Sequence, residues 1–304
     1  MKPVDRLLLG YLGFVSLVAG WRLATGAGTL DMSALLFMHA LFVLLIGLFA
    51  RYRPAAGVGG WLHDFYPLIL IGTLYTELGV LNGQLPVATI FRHDAVIQRW
   101  EAAIFGAQPA RDWIRAAPSV FWSGLLHLAY FTYYPIILFG PLGLALRGRR
   151  HEARHVILLA MTAYVMCYVV FILWPAAGPN YAFARPSGPV REVWSAHLVY
   201  LVLDWGSSIG TTFPSSHVAA TVATTLGVLQ HWRRLGWVFV PAAVLLTVST
   251  VYCQMHYVID ATGGLLVGIG AWAVARGAYR GGNGRAGADG RPAYGSDLLP
   301  TSAE

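Results

Sequence analysis

Apolar runs of about twenty residues recur along this chain, and nearly all of its charges fall between them. A run of that length is what an α-helix needs to cross the hydrocarbon of a bilayer, at about 1.5 Å of rise per residue. Eight such runs are legible, at 7–25, 33–50, 63–82, 119–145, 156–174, 215–231, 235–253 and 258–275. Only 12 % of the 304 residues are charged and 57 % are hydrophobic, against about 25 % charged in a soluble domain. That balance excludes a soluble enzyme, a coiled coil and a disordered chain. It predicts an all-α fold, a polytopic membrane helical bundle of about eight spans.

The net charge is +7, but the basic residues stand at the ends of apolar runs, where they orient a membrane protein rather than bind nucleic acid. One side of the predicted topology collects Lys2, Arg6, Arg51, Arg53, Arg147, Arg149, Arg150, Arg154, Arg233, Arg234, Arg276, Arg280, Arg285 and Arg291; the other carries half as many. The excess places both termini in the cytoplasm and turns the loops 81–118 and 175–214 outward, as in a multi-pass protein of the cell membrane. The first run has Lys2 and Arg6 ahead of it and small residues after it, so it reads as an uncleaved anchor or a signal peptide; the anchor is preferred. The chain divides into N-terminal spanning helices at 1–60, a membrane domain at 61–278 and a polar tail at 279–304. The tail is Gly-rich from Gly281 and is predicted to be disordered. Cys167 and Cys253 lie in or beside apolar segments and build neither a disulfide framework nor a metal motif.

Two polar clusters stand at the outer ends of predicted spans. The first is Thr211-Thr212-Phe213-Pro214-Ser215-Ser216-His217. Pro and Ser at the head of a helical run mark an N-terminus with hydroxyl caps. Its unpaired N–H groups and positive dipole end suit an oxyanion such as phosphate, and His217 in the first turn can exchange a proton with it. The second cluster runs from Tyr252 to Asp260. On a helix His256 and Asp260, at i and i+4, share a face. A carboxylate so placed fixes the imidazole tautomer and leaves the other nitrogen free as nucleophile or base. Each histidine alone is more simply an interfacial polar residue. Two at the same depth, one on a helix cap and one paired with an acid, point to a catalytic site.

Other features carry less. From His93 to Phe105 the residues Val96, Ile97, Trp100, Ile104 and Phe105 recur at helical spacing, with Arg92, Asp94, Gln98, Arg99 and Glu101 elsewhere. This predicts an amphipathic helix lying on the membrane surface. Glu77 either faces the site or, more simply, hydrogen-bonds inside the bundle. Tyr130, Phe131, Tyr133 and Tyr134 are spaced for packing and are assigned no chemistry. His151-Glu152-Ala153-Arg154-His155 matches the zinc-protease pattern H-E-x-x-H, but its arginine-rich neighbours disfavour Zn²⁺ and no clear third ligand follows. It reads as a positive topology anchor. No metal and no cofactor is predicted.

FPSSHVAAT and VYCQMHYVIDATGG resemble two signature blocks of the type 2 phosphatidic acid phosphatase superfamily. The first is similar to its P-S-G-H block, with Ser216 in place of Gly. The second is similar to its S-R-x5-H-x3-D block, where Ser249, His256 and Asp260 match and Thr250 stands in place of Arg. The missing Arg, the H-Y-x-x-D wording and the stretch RWEAAIFGAQPA resemble the branch that contains inositol phosphorylceramide synthases. A third block, K-x6-R-P, is half present: Arg185-Pro186 fits its end, and Gly178 occupies the Lys position.

The resemblance implies a six-helix phosphatase-like core and a metal-independent reaction through a phosphohistidine. His256 would attack phosphorus, Asp260 would orient it, and His217 would protonate the leaving oxygen and then activate water or an alcohol. Ser215 and Ser216 would hold phosphate oxygens, with Arg185 as the positive partner and Asn180 and Tyr181 beside it. The implied substrate is a lipid phosphate, such as phosphatidic acid or a polyprenyl phosphate or diphosphate, met at the outer leaflet among membrane lipids. Two alternatives stay open: synthase-like transfer of a phospho-head group to a lipid alcohol, and a non-catalytic transporter or scaffold.

Overall fold

The computed structural model describes residues 1–26, 30–52 and 57–288, with side chains through 277. All regular structure among the described residues is helical: α1 (Pro3–Ala24), α2 (Leu30–Arg51), α3 (Val58–Gly83), α4 (Val87–Phe105), α5 (Pro109–Ala116), α6 (Val120–Tyr130), α7 (Tyr133–Leu146), α8 (Arg150–Leu173), α9 (Pro179–Ala182), α10 (Trp194–Gly206), α11 (Ser216–His231), α12 (Arg233–Tyr252) and α13 (Val258–Ala288). Seven segments among the described residues are long and apolar enough to cross a membrane, with α6 and α7 together forming one of them. The chain is a polytopic helical membrane protein.

The eighth expected span, 215–231, is α11, and it differs from the others. Its 16 residues measure about 24 Å, short of the roughly 30 Å of hydrocarbon. It is packed between α7, α8, α12 and α13 through Ala219, Ala220, Ala223 and Gly227, all small. On α13, Gly264 and Gly268 face it so closely that a Cβ would fall 2.5 Å from the Ser215 carbonyl oxygen and 2.6 Å from that of Ala219. Small residues four apart let two membrane helices approach to backbone contact. Here that brings the residue ahead of α13 beside the first turn of α11.

The span expected at 119–145 is interrupted at Phe131–Thr132, between α6 and α7. Pro135 has no N–H to offer the carbonyl four residues earlier, and its ring crowds that carbonyl. The break carries Tyr130 and Tyr133 onto the flank of α11, where their rings lie 5.2 and 4.6 Å from that of His217.

The amphipathic helix predicted at 93–105 exists as α4, but its buried face mixes aliphatic and acidic residues. Ile90, Asp94, Ile97 and Glu101 are buried, while Trp100, Ile104 and Phe105 are exposed. The carboxylates face the protein because backbone N–H groups await them there, and Trp100, Ile104 and Phe105 are left on the exposed face. The loop expected at 175–214 contains a further helix, α10. It packs on α6 and exposes Leu198, Leu201, Val202 and Trp205.

At the opposite end of the bundle, Asp64 on α3 receives Nε–H bonds from Arg150 at 2.7 Å and Arg154 at 2.6 Å. The zinc-like H-E-x-x-H pattern is divided in this region. His151 is exposed, whereas His155 is buried with its Nδ1 2.7 Å from Nε2 of His231 on α11. No group of three His, Cys, Asp or Glu able to hold a metal occurs among the described residues. Glu77 lies inside the bundle against His39 Nε2 at 2.9 Å, and the other His39 nitrogen meets Ser16. Helix α13 runs to Ala288, past Gly281, where the sequence predicts the tail to begin; residues 289–304 lie outside the described residues.

Candidate active site

Three chain segments meet at one end of the bundle: the entry to α11, the turn between α12 and α13, and the loop after α8. Ser215 is the N-cap of α11, its hydroxyl accepting the Val218 N–H at 3.3 Å. Its own N–H donates to the Asp260 carbonyl at 2.9 Å, tying this entry to α13. A helix entry leaves first-turn N–H groups unpaired. Ser216 and His217 occupy that turn.

The rings of His217 and His256 lie 5.9 Å apart between centroids. The two histidines, one at the entry of α11 and the other beyond the end of α12, therefore share one site. His256 Nδ1 is held by the carbonyl of Thr212 at 3.1 Å. Asp260 comes within 3.6 Å of the same nitrogen, beyond hydrogen-bonding reach, and its Oδ2 instead accepts the Tyr257 N–H at 2.8 Å. The imidazole is thus oriented by a backbone oxygen, with the carboxylate close behind, and Nε2 is left for chemistry. His217 Nε2 lies 3.3 Å from the Tyr130 hydroxyl, and its Nδ1 is buried without a hydrogen-bond partner.

The turn that delivers His256 depends on Gln254, which is buried with φ +61°. This left-handed conformation costs a non-glycine residue about 1–2 kcal/mol. The side chain offsets the cost: its amide donates to Pro179 at 3.2 Å and Ala184 at 3.1 Å, and its carbonyl accepts from Arg115 at 2.7 Å. Gly178, in the place of the motif lysine, has φ +95°. A Cβ there would fall 2.7 Å from Thr212 Cγ2 and nearer still to its Oγ1. The departure from the motif therefore has a local steric reason.

Arg185 does not contact the histidines. It pairs with Asp204 at 2.6 Å and covers the ring of Tyr200. Asn180 and Tyr181 lie on the short α9, with the Tyr181 hydroxyl 2.6 Å from Ser207 Oγ.

A cavity of about 440 Å³ opens beside His217. Its walls come from α3, α6, α7, α8, α10 and α11, and they include Tyr75, Tyr130, Tyr133, Leu203, Ser216 and His217. The tyrosines that looked like packing residues line this chamber. Their spacing held no sign of it, because the helix break at Phe131–Thr132 decides which way they face. The one signal available was the proline three residues beyond that break.

The site finds counterparts among known proteins. Undecaprenyl-diphosphatase BcrC of Bacillus subtilis (strain 168) is 24 % identical over 144 residues, which is 47 % of this chain and 68 % of that protein. No solved structure matches the chain. The family model described as the PAP2 superfamily matches residues 96–274, more than half of the chain and the whole of the histidine site. The chain belongs to the PAP2 superfamily.

Proposed function

We propose that this protein is an integral membrane phosphatase that cleaves the phosphate ester or anhydride of a lipid phosphate. The observation that carries the reading is the approach of His217 and His256 to 5.9 Å, beside an apolar cavity able to take part of a hydrocarbon tail. Family membership and the similarity to a lipid diphosphatase support the same class.

Phosphoryl transfer asks for positioning, stabilisation of equatorial oxygens and a proton for the leaving group. His256 Nε2 attacks phosphorus, forming the P–N bond as the P–O bond to the lipid breaks. The leaving oxygen takes a proton from His217. Thr212 holds the Nδ1 proton of His256, and Asp260 stabilises the cationic ring from 3.6 Å. Ser215, Ser216 and the first-turn N–H groups of α11 receive the phosphate oxygens. Water activated by His217 then attacks phosphorus, breaking the P–N bond and releasing phosphate. No residue of this scheme is a metal ligand. Arg185, paired with Asp204 at 2.6 Å, is left out of the phosphate-binding set.

The basic ends of the spans support a topology with both termini in the cytoplasm and the histidine pair on the outer side of the cell membrane. A second reading, transfer of the phosphoryl or phospho-head group to a lipid alcohol, is favoured by one observation: the cavity beside His217 is lined largely by apolar and phenolic side chains. The deciding experiment incubates the purified protein with labelled lipid phosphates and diphosphates, with and without candidate alcohols. Inorganic phosphate as product supports the phosphatase. A new phosphodiester supports the transferase, and no turnover of any phosphate leaves only binding or transport.

A further inference from the structure

We propose that the surface helix α4 is a clamp that aims the His256 imidazole, with Asp94 and Glu101 as its positioning residues. The inference rests on the reading of His256 as the reacting group. Two carboxylates, 1 % and 0 % exposed, sit on the buried face of α4 beside Ile90 and Ile97, while Trp100, Ile104 and Phe105 point outward. Buried carboxylates are costly unless hydrogen-bonded, so their partners explain why they are there.

Asp94 takes the N–H groups of Ala177 at 2.6 Å and Gly178 at 2.7 Å. That loop is bonded in turn to Thr212, whose N–H donates to the Ala176 carbonyl at 3.3 Å and whose hydroxyl donates to the Ala177 carbonyl at 2.7 Å. Thr212 is the residue that holds His256 Nδ1. One turn along, Gln98 donates to the Tyr257 hydroxyl at 2.9 Å, and the same hydroxyl donates to Asp94 at 3.1 Å. Two turns from Asp94, Glu101 Oε1 accepts the N–H of Val258 at 2.6 Å and of Ile259 at 3.4 Å. A carboxylate there caps the opening turn of α13 from another helix, where the helix dipole favours a negative charge.

The imidazole therefore hangs between two backbone segments, and both are gripped by one face of α4. Asp94 fixes the acceptor side through Gly178 and Thr212. Glu101 fixes the side from which the ring itself projects. Neither carboxylate is bonded to the His256 or His217 ring. Their effect runs through geometry, and a displacement near 1 Å at a reacting atom lowers turnover by about a hundredfold.

The test compares full-length Asp94→Ala, Glu101→Ala, Asp94→Asn, Glu101→Gln and His256→Ala in lipid nanodiscs. The measurements are kcat and KM on a lipid phosphate, inhibition by vanadate, and amide exchange over 176–178 and 255–260. Glu101→Ala should lower kcat about ten- to a hundredfold with KM within about twofold, weaken vanadate in step, and speed exchange at Val258 and Ile259. Glu101→Gln, which keeps an acceptor oxygen, should recover most of both. The clamp is overturned if both alanine variants exchange and turn over like the parent, or if the loss falls on KM alone. Activity in His256→Ala would instead refute the reading of the histidine, and the exchange data would still judge the clamp. Should an alanine variant fail to fold, Asp94→Asn decides: it turns one of the two oxygens that accept the Ala177 and Gly178 N–H groups into a donor, and unchanged kcat with unchanged exchange over 176–178 would overturn the clamp.

Discussion

Gly178 and Thr212 approach each other more closely than any residue bearing a Cβ would allow. Restoring the lysine that the family motif places at 178 should therefore harm the protein rather than improve it. Gly178→Lys must hold φ near +95° and push Thr212 away from His256. We expect a loss of about 1–3 kcal/mol in stability together with a fall in activity, read by thermal unfolding and phosphate release. Greater activity in the variant would show that charge, and not backbone shape, limits this site.

Removing either imidazole should stop the reaction. His256→Ala and His217→Ala are each expected to lower kcat by about 10³-fold or more, the scale on which losing a nucleophile or its proton partner acts. Vanadate should inhibit the parent protein, and a chelator should leave its rate unchanged. Trapping radiolabelled phosphate on the protein after acid quench, in the parent but not in His256→Ala, would reveal the covalent step. An unlabelled parent under single-turnover conditions counts against it.

The chamber beside His217 should govern the lipid rather than the phosphate. Leu203→Trp, which fills part of the roughly 440 Å³, is expected to raise KM for long-chain substrates several-fold and leave a short-chain analogue little changed. Tyr130→Phe removes the hydroxyl 3.3 Å from His217 Nε2. It should lower kcat by about three- to tenfold, the worth of one hydrogen bond. Equal effects on long and short chains in Leu203→Trp would separate the chamber from substrate binding.

Glu101 gives a pH signature. Burial raises its carboxyl from 4.5 to about 7, and the neighbouring Asp260 adds to the rise, against the pull of the Val258 and Ile259 N–H groups. A carboxyl whose folded value is raised holds its proton more tightly in the folded state. Its contribution to stability is full below pH 4.5 and is lost as the pH climbs through about 7. Glu101→Gln does not titrate, so between those limits the variant should gain on the parent as the pH rises. Denaturation midpoints measured across that window check this; parallel curves would contradict it.

Most of the bundle could be read directly because each span is a local property. Twenty apolar residues between charged ends suffice, whatever they pack against. The histidine pair was legible only in part: Ser215 and His217 announce a helix entry, whereas His256 stands in the turn ahead of α13 rather than on the helix, which leaves Asp260 3.6 Å from its Nδ1. What the sequence concealed depends on partners distant in the chain. The strip of Asp94, Gln98 and Glu101 looks like a solvated face until the N–H groups of 177–178 and 258–259 are placed beneath it. The orienting oxygen of His256 is a main-chain carbonyl, to which side-chain identity is blind. The phenolic wall beside His217 follows from a helix break whose effect on direction only the assembled bundle reveals.

The shortness of α11 has a bearing on how a substrate is met. With α11 only 16 residues long between α8 of 24 and α12 of 20, we expect its entry, and His217 upon it, to sit within the membrane's margin if its other end reaches as far as theirs. On the proposed reaction, the head group of a lipid would then have only to dip towards the site while its chain stays in the leaflet.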